Sequence, residues 1–492
     1  MKTTLSAPTV VIVGGGFSGV AVAAHVIRKT PPGTRLFVVE KSANLAKGVA
    51  YSTPEPFHLL NVPAKNMGLY EGESEHFLSW LASDAPSWRD SDPAFRSLAI
   101  DGDAFYPRKL YGVYLEQIWK RILAEAKAKG AEVTALRDEA RDVEITERRT
   151  AIVSLRQGVL PEADRVVLAV GSVPVKALAC ARGAFLCPEK YVDDMWAPPP
   201  ESLMRQKDLS RFSERSRAVI AGSGLSMADA FLSLRAKGFK GHVTAISRHG
   251  LIPHPHRAFA PYPRRFDPSH FPQDAVSLAH FVRREAEAAM ARGADWRAVW
   301  DRFRPETNAV WERLPVKEKR RIAQRLLPFW NAHRHRIPSH VLDSILADKE
   351  RGAFSIVAGT IYHIGGKRDE KITVSYRKKK EDAIETLRAD CVVNCSGPEI
   401  DIAYSRNPFL LKLRDKKIIN SGALRMGIEL TKEGRAKGRA PDIFHAVGAI
   451  AAGERLESTS VPDIRRQAAE TADGVLFRGE DRDYSRYYNY FI

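Results

Sequence analysis

The sequence predicts an α/β protein made of two parallel-sheet domains, the second of which carries a helical insertion. Three observations support this prediction. A glycine-rich turn between a strand and a helix occurs twice, an apolar run ending in glycine follows each turn, and residues 275–350 have helical periodicity. With 492 residues, of which 44% are hydrophobic and 27% charged, the chain is long enough for two or three globular domains.

The first turn follows an apolar strand over residues 9–13 and precedes a helical stretch over residues 20–29. Between them, Gly14, Gly16 and Gly19 form a GxGxxG pattern. Gly14 permits the tight turn, Gly16 lets a pyrophosphate approach the backbone, and Gly19 lets the helix pack closely on the strand. The free N–H groups at the start of the helix favour a phosphate. This order of elements predicts a Rossmann-like dinucleotide site.

The next strand, residues 35–40, ends at Glu40, an acid about where one is needed to accept hydrogen bonds from an adenosine ribose. Its neighbour Lys41 and the first helical residues, Phe17 and Ser18, complete the contacts predicted for this site. The acid makes the first motif more specific than its glycines alone.

The second turn lies in the same setting, between an apolar strand and a helix. It contains Gly222 and Gly224, while Met227 replaces the third glycine and makes the motif weaker. We expect Leu225 and Ser226, which open the helix, to contact the same ligand.

The strand after the second turn ends in Ser247 and Arg248 rather than in an acid. An acid would repel the 2′-phosphate of NADPH, whereas Arg248 can pair with it through several donors. The sequence therefore favours NADPH over NADH. The alternative is that Arg248 is an ordinary surface residue.

Two similar apolar runs, residues 165–171 and 391–397, end in glycine, and Asp164 and Asp390 precede them at matching positions. Such runs are typical of strands that return the chain between domains. We therefore predict a discontinuous FAD-binding domain from residues 1–175 and 395–492. A nicotinamide-binding domain, residues 176–394, would be inserted into it and would contain the helical segment at about 275–350.

Charge and cysteine content limit the function classes. The net charge of +17 attracts anions such as nucleotide phosphates, an acidic substrate or nucleic acid, although it also fits a plain basic soluble protein. No run of Lys and Arg is long enough to suggest a nucleic-acid-binding arm.

The four cysteines form no CxxC, which argues against a zinc knuckle or a reactive dithiol. No apolar stretch is long enough to span a bilayer, and we expect a soluble, cytoplasmic protein that does not associate with a membrane.

Several longer motifs resemble a known family. They are residues 14–19, 48–51 (GVAY), 58–64 (HLLNVPA), 106–112 (YPRKLYG), 222–227 (GSGLSM), 247–254 (SRHGLIPH), 333–336 (HRHR) and 458–467 (STSVPDIRRQ). Together they resemble the bacterial FAD/NAD(P)-binding proteins of the YdhS type. That family is related to the FAD-dependent urate hydroxylase and the aspartate N-monooxygenase, and more distantly to lysine and ornithine N-hydroxylases.

The resemblance implies an activity. NADPH would reduce bound FAD, and O₂ would form a flavin C4a-hydroperoxide that hydroxylates a small nitrogen-containing, anionic substrate. It also implies site residues. Asn61 and Val62 would lie near the isoalloxazine, Arg108 would hold a flavin phosphate or an acidic substrate group, and Ser460 and Val461 would contact the ring. Further cofactor contacts are expected at four glycines: Gly48, Gly171, Gly397 and Gly448.

A basic cluster near residue 335 is the candidate for catalysis and substrate binding. His333 and His335 are its candidate catalytic residues, beside Asn61, and Arg336 is its candidate anion contact. The alternative is a helix end whose basic residues complement the helix dipole. The sequence His254-Pro-His256 lacks a nearby acid or third ligand, so we predict no metal site.

Two other functions stay open on the sequence. One is a flavin-dependent NAD(P)H dehydrogenase or reductase that does not transfer oxygen, and the other is a redox-sensing flavoprotein that controls a partner. The monooxygenase reading implies a small-molecule substrate and O₂ as partners, and leaves a homo-oligomer open. An aromatic tail, residues 484–491, would cover the core or a partner.

Overall fold

The computed structural model describes residues 7–171, 175–197, 200, 202–368 and 370–476. The aromatic tail at 484–491 lies outside these ranges. Within them, no helix is long and apolar enough to cross a membrane.

Strands alternate with helices in the first part of the chain and return after the helical segment. The strands are β1 (Thr9–Val13), β2 (Arg35–Val39), β3 (Glu132–Leu136), β4 (Ala140–Ile145), β5 (Ala151–Leu155), β6 (Arg165–Leu168), β7 (Tyr191–Val192), β8 (Arg217–Ala221), β9 (His242–Ser247), β10 (Phe354–Gly365), β11 (Ile372–Lys378), β12 (Ile384–Ala389), β13 (Cys391–Asn394) and β14 (Phe444–Ala446).

The helices include six that follow one another between β9 and β10. The α-helices are α1 (Phe17–Lys29), α2 (Gly48–Tyr51), α3 (His76–Ser83), α4 (Ala85–Asp90), α5 (Arg108–Ala128), α6 (Leu225–Ala236), α7 (Ala275–Ala291), α8 (Trp296–Phe303), α9 (Thr307–Arg313), α10 (Val316–Arg321), α11 (Leu327–Arg334), α12 (Ser339–Glu350), α13 (Pro408–Asp415) and α14 (Val461–Leu476). A π-helical stretch, Ile322–Leu326, joins α10 to α11.

The first compact unit is drawn from Met1–Pro54, Val62–Val173 and Ile400–Ile492. Its sheet has the order β14-β6-β1-β2-β3, and all neighbouring strands are parallel. Every residue of β1 is buried, as expected for a central strand of a parallel sheet that is covered on both faces. Helix α1 packs against α14 and α5.

The second compact unit comprises Glu55–Asn61 and Pro174–Glu399. Its sheet has the order β12-β11-β10-β9-β8-β13-β7. The strands from β7 to β10 are parallel, whereas β10, β11 and β12 form an antiparallel extension. The segment Glu55–Asn61 is held in this unit by His58, whose Nε2 lies 2.8 Å from the Ser233 hydroxyl on α6.

The two units anchor the strand before the glycine turn, β1 in one and β8 in the other, in the same way. The Asp164 carboxylate accepts a hydrogen bond from the Thr9 N–H at 2.9 Å, and the Asp390 carboxylate accepts one from the Arg217 N–H at 2.8 Å. In each pair the aspartate N–H donates back to the same residue's carbonyl, at 2.8 and 2.7 Å. The α/β class with two parallel-sheet, Rossmann-like units is therefore confirmed.

The helical segment has its own small cores. Trp311 is fully buried, whereas Trp296 and Trp300 are only half-buried and stand beside His333. Phe271, Phe303 and their neighbours form a separate apolar cluster. The aromatic residues of this segment thus serve partly as core and partly as the surroundings of His333.

Candidate functional site

The turn of the first unit has the backbone of a phosphate-binding loop. The Gly14 N–H donates to the Val39 carbonyl at 2.8 Å, and its φ is +107°, a conformation that L side chains rarely adopt. A Cβ on Gly14 would lie 2.2 Å from the Ala169 carbonyl oxygen. A Cβ on Gly19 would lie 1.9 Å from the Gly14 carbonyl oxygen. Both glycines are therefore required for the close approach of strand, turn and helix.

Gly16 faces a second glycine, because a Cβ placed on it would lie 3.1 Å from Cα of Gly48. The short helix that Gly48 opens ends at Tyr51, whose ring centroid lies 4.7 Å from that of Tyr111. Burial raises the pKa of Tyr51 to about 12, against the opposing charge of Arg108. The predicted residues Gly16 and Gly48 thus face each other in the first unit, and Arg108 begins α5, the helix that packs on α2.

Glu40 is fixed by the turn itself. Its two carboxylate oxygens accept the Gly15 N–H at 2.9 Å and the Ser42 N–H at 2.8 Å. A carboxylate offers about four acceptor positions, so two remain for a ribose diol. Lys41 is exposed beside it.

Two buried positions border the start of α1. The Gly448 N–H donates to the Gln467 side chain at 3.1 Å, and a Cβ on Gly448 would lie 2.9 Å from the Ser18 hydroxyl oxygen. Phe17 and Ser18 are buried at the first turn of α1, whose N-terminus favours a phosphate. Gln467 was not predicted from the sequence, and only its nearness in the fold identifies it.

The start of α14 carries the predicted flavin-ring contacts. Val461 is buried as the first helical residue, and the Ser460 hydroxyl donates to the Asp463 carboxylate. The Ser458 hydroxyl is buried and has no hydrogen-bond partner in the described part of the chain. In the same unit, a Cβ on Gly171, with φ at +72°, would meet nothing within 4 Å. The turn, the open space at Gly171 and this orphaned hydroxyl fit the dinucleotide and polar ring edge of FAD.

The turn of the second unit repeats the first. The Gly222 N–H donates to the Ile246 carbonyl at 2.8 Å, φ of Gly222 is +120°, and a Cβ there would lie 2.2 Å from the Cys395 carbonyl oxygen. The Ser223 hydroxyl oxygen lies 2.7 Å from Oγ of Ser247 and also contacts the Leu251 carbonyl. Ser223 thereby ties the glycine turn to the end of β9, a role that its position between two glycines did not reveal.

The surroundings of the second turn are more open. Gly224 is exposed, and a Cβ on it would meet nothing within 4 Å. The predicted contacts Leu225 and Ser226 are half-buried at the start of α6, and Met227, which replaces the third glycine, is fully buried. Gly397, with φ at +99°, also borders open space. Arg248 is exposed after the last residue of β9.

Asn61 lies in the second unit, where its carbonyl accepts a hydrogen bond from Nε2 of His256 at 3.0 Å. This bond requires a proton on Nε2, and burial lowers the pKa of His256 to about 4. His256 is therefore a neutral donor that fixes the loop. Val62, the next predicted contact, is nearly buried and belongs to the first unit.

The three predicted residues of the basic cluster have different surroundings. His333 stacks on Trp300 at 5.1 Å between centroids, and its Nδ1 lies 2.8 Å from the Phe329 carbonyl. Arg336 is 5% exposed, and its guanidinium donates to both carboxylate oxygens of Asp301, at 2.6 and 3.1 Å. This ion pair already compensates the charge of Arg336, which argues against the anion-binding role expected for it. His335 is half-buried at the end of α11.

Comparisons with known proteins agree with this geometry. Residues 11–173 match the family model described as FAD-NAD(P)-binding. None of the curated protein sequences compared with the chain matches it significantly.

Solved structures resemble the chain over nearly its whole length. The ornithine N-hydroxylase of Kutzneria sp. 744, solved with reduced FAD, NADP⁺ and L-ornithine, has 15% identity and a TM-score of 0.61, with 96% of this chain and 99% of that chain covered. The FAD-bound cadaverine monooxygenase of Erwinia amylovora has 12% identity and a TM-score of 0.63, with coverage of 96% and 94%. The bacillithiol disulfide reductase of Staphylococcus aureus has 14% identity and a TM-score of 0.54, with coverage of 95% and 98%. At these identities the likeness establishes the shared fold.

Proposed function

We propose that this protein is an FAD-dependent, NADPH-using monooxygenase that hydroxylates a small nitrogen-containing, anionic substrate. The observation that carries the proposal is the pair of matching glycine turns with different flanking residues. One is closed by Gly48 and flanked by the carboxylate of Glu40, and the other is open and followed by Arg248. A resident dinucleotide suits the first turn and an exchanging, 2′-phosphorylated one suits the second.

Bound FAD would accept a hydride and activate O₂, chemistry that belongs to the cofactor. The chain's part is to hold it. Gly14, Gly16 and the N-terminus of α1 would bind its pyrophosphate, and Glu40 its ribose. The buried Ser458 hydroxyl has no hydrogen-bond partner among the described residues, and it would donate to a polar edge of the flavin ring.

The cysteines favour a monooxygenase over a thiol-dependent reductase. All four are free, and burial raises the pKa of Cys391 to about 12 and that of Cys395 further still. A buried thiol that resists ionisation is a poor nucleophile for disulfide exchange. The fold is shared with a disulfide reductase as well as with N-hydroxylases, so this difference in cysteine chemistry carries weight.

Charge supports an anionic substrate. Residues 257–336 contain 17 Lys and Arg against 9 Asp and Glu, an excess of eight within a chain whose net charge is +17. Ornithine and cadaverine, named for two of the structural relatives, are cations, which such a segment would repel. Asn61, His333 and His335 stay the proposed catalytic residues, whereas the buried ion pair of Arg336 with Asp301 gives it a structural role.

The proposed reaction takes place in the cytoplasm with O₂ and a small molecule as partners, in keeping with the YdhS-type motifs. The test is a coupling assay on the FAD-loaded protein. NADPH oxidation, O₂ uptake and hydrogen peroxide release would be measured with small amino acids and purines, grouped as anionic, neutral and cationic. We expect an anionic compound to accelerate NADPH oxidation and lower the yield of peroxide, and mass spectrometry to detect its hydroxylated product.

Two results would contradict the proposal. If only cationic amines suppress peroxide release, the substrate is a cation and not the anion that we propose. If no compound does so and NADPH instead reduces added electron acceptors much faster than O₂, the protein is a reductase that does not transfer oxygen.

A further inference from the structure

The turn after β9 is fixed between the glycine turn and the neighbouring strand β10. Ser247 pairs with Ala358 in the parallel register of β9 and β10. Gly250, at φ +62°, packs on the same residue, since a Cβ there would lie 3.1 Å from Cβ of Ala358. The Gly250 N–H lies 3.1 Å from Oγ of Ser247, which Ser223 also contacts. Arg248 and His249 are therefore held in a short, well-defined loop beside the phosphate-binding turn.

A lysine distant in sequence reaches this loop through the sheet. The Lys379 N–H donates to the Ala358 carbonyl at 2.8 Å, so the side chain of Lys379 leaves the backbone beside the residue on which Gly250 packs. Lys379 follows β11, which pairs with β10 in the antiparallel extension. Both Lys379 and Arg248 are exposed, and neither has an ion-pair partner among the residues that the structure describes.

His249 follows Arg248 in the same loop. Its ring packs against Phe329 at 5.3 Å between centroids, and its Nδ1 is buried with no hydrogen-bond partner in the described ranges. Burial, followed by the charges of Lys379 and Arg248, holds the pKa of His249 below its ordinary value. Arg248, His249 and Lys379 thus belong to backbone segments that meet at Ala358 beside the end of β9, and both charges that act on the His249 ring are positive. A dianionic group would relieve this repulsion and satisfy the buried nitrogen.

We propose that Lys379 and His249 join Arg248 in binding the 2′-phosphate of NADPH, and that Lys379 is a specificity-determining residue of this enzyme. This inference rests on the proposed use of NADPH by the second unit. The loop lies at the carboxyl ends of β8 and β9, the edge at which open α/β sheets bind nucleotides. Each residue would contribute a charge-assisted hydrogen bond to the phosphate, and none would contact the rest of the nucleotide.

The experiment is isothermal titration calorimetry on the full-length, FAD-loaded protein with two probes, 2′,5′-ADP and 5′-AMP, which differ in the 2′-phosphate. The variants are Lys379→Ala and His249→Phe; the latter removes both nitrogens and retains a ring to pack on Phe329. Lys240→Ala is the matched control, because Lys240 is an exposed lysine just before β9, at the opposite end of the same strand.

We expect Lys379→Ala to weaken 2′,5′-ADP binding about tenfold, as the loss of one charge-assisted hydrogen bond predicts, and to leave 5′-AMP binding within about twofold. His249→Phe should have a smaller effect of the same kind, and Lys240→Ala none. If the wild-type protein binds the two probes equally, the proposed NADPH preference itself is wrong. If it prefers 2′,5′-ADP but Lys379→Ala and His249→Phe behave like Lys240→Ala, only this inference is overturned.

Discussion

Gly16 and Gly224 occupy the same place in their turns and have nearly the same backbone, with φ and ψ of −78° and −168° in one and −87° and −160° in the other. Their neighbours differ. Gly16 packs against Gly48, whereas a side chain on Gly224 would meet nothing within 4 Å. The strand ends differ too, because Glu40 is bound to its own turn while Arg248 is exposed. One backbone device therefore serves a closed site in the first unit and an open site in the second.

This comparison suggests how one chain handles two similar ligands. The turn itself recognises only a pyrophosphate, which FAD and NADPH share. On the proposed function, the residues around each turn would decide how long the dinucleotide stays bound and whether its adenosine carries a 2′-phosphate. A closed site beside a ribose-binding acid suits a cofactor that remains bound, and an open site with a basic loop suits a coenzyme that exchanges in every turnover.

The largest expected effect comes from breaking each turn separately. Gly14→Ala and Gly222→Ala each force a Cβ to 2.2 Å from a carbonyl oxygen at a strongly positive φ, a cost of about 3 kcal/mol or more. We expect Gly14→Ala to lose bound FAD, seen as lost visible absorbance after gel filtration. Gly222→Ala should keep FAD but lose its reduction by NADPH. Equal loss of FAD in both variants, with native circular dichroism, would show that the turns do not serve separate ligands.

Acid should weaken the first unit through His445. This residue is fully buried, neither ring nitrogen has a hydrogen bond within the described residues, and burial lowers its pKa to about 3. Between the unfolded-state pKa near 6.5 and this value, only the unfolded chain binds the proton. Stability should therefore fall with decreasing pH across that window, approaching about 1.4 kcal/mol per pH unit from this residue, and be unaffected by it above the window.

The measurement for His445 is urea unfolding at several pH values between 7 and 5. Unfolding is monitored by FAD fluorescence, which rises when its quenching by the protein is lost. His445→Leu should show a shallower decline over this range than the wild-type protein. An unchanged slope would mean that His445 is protonated alike in both states, or that a partner compensates its charge.

A less disruptive pair of substitutions tests the difference between the surroundings of Gly16 and those of Gly224. Because both backbones are extended, Gly16→Ala and Gly224→Ala should fold. Gly16→Ala must displace Gly48 by a few tenths of an ångström, and we expect FAD affinity to fall about tenfold, roughly 1.4 kcal/mol. Gly224→Ala should leave FAD affinity unchanged and raise KM for NADPH. Matching losses of FAD affinity would remove the distinction between a closed and an open turn.

One further pair of substitutions should have similar effects in the two units. Asp164→Ala and Asp390→Ala each remove the carboxylate that accepts the first N–H of a central strand, a loss of about 1–2 kcal/mol. Asp164→Asn and Asp390→Asn retain an acceptor oxygen and should recover most of the stability. The measurement is the free energy of unfolding in urea. If the Asn variants are as unstable as the Ala variants, the negative charge of the carboxylate and not the hydrogen bond stabilises the strand. In the second unit that charge pairs with Lys371, whose Nζ lies 2.9 Å from the Asp390 carboxylate.

The sequence is most informative where backbone sterics demand one residue. The positive φ and close carbonyl at Gly14 and Gly222 can be satisfied only by glycine, so both turns and the α/β class could be predicted. Lys379 could not, because 131 positions separate it from Arg248 and only the pairing of β9, β10 and β11 brings it to the loop. The ion pair of Arg336 with Asp301 could not be predicted for the same reason, because only tertiary packing brings Asp301 to Arg336.

The most direct test of the central claim is anaerobic stopped-flow absorbance of the purified protein mixed with NADPH or NADH. We predict that FAD copurifies with the protein and is reduced by both nucleotides, with half-saturation at a much lower concentration of NADPH than of NADH. Arg248→Ala should narrow that difference without releasing FAD. Bound flavin that neither nucleotide reduces would contradict the account of one resident and one exchanging dinucleotide. An unchanged preference in Arg248→Ala would contradict the binding of the 2′-phosphate by Arg248.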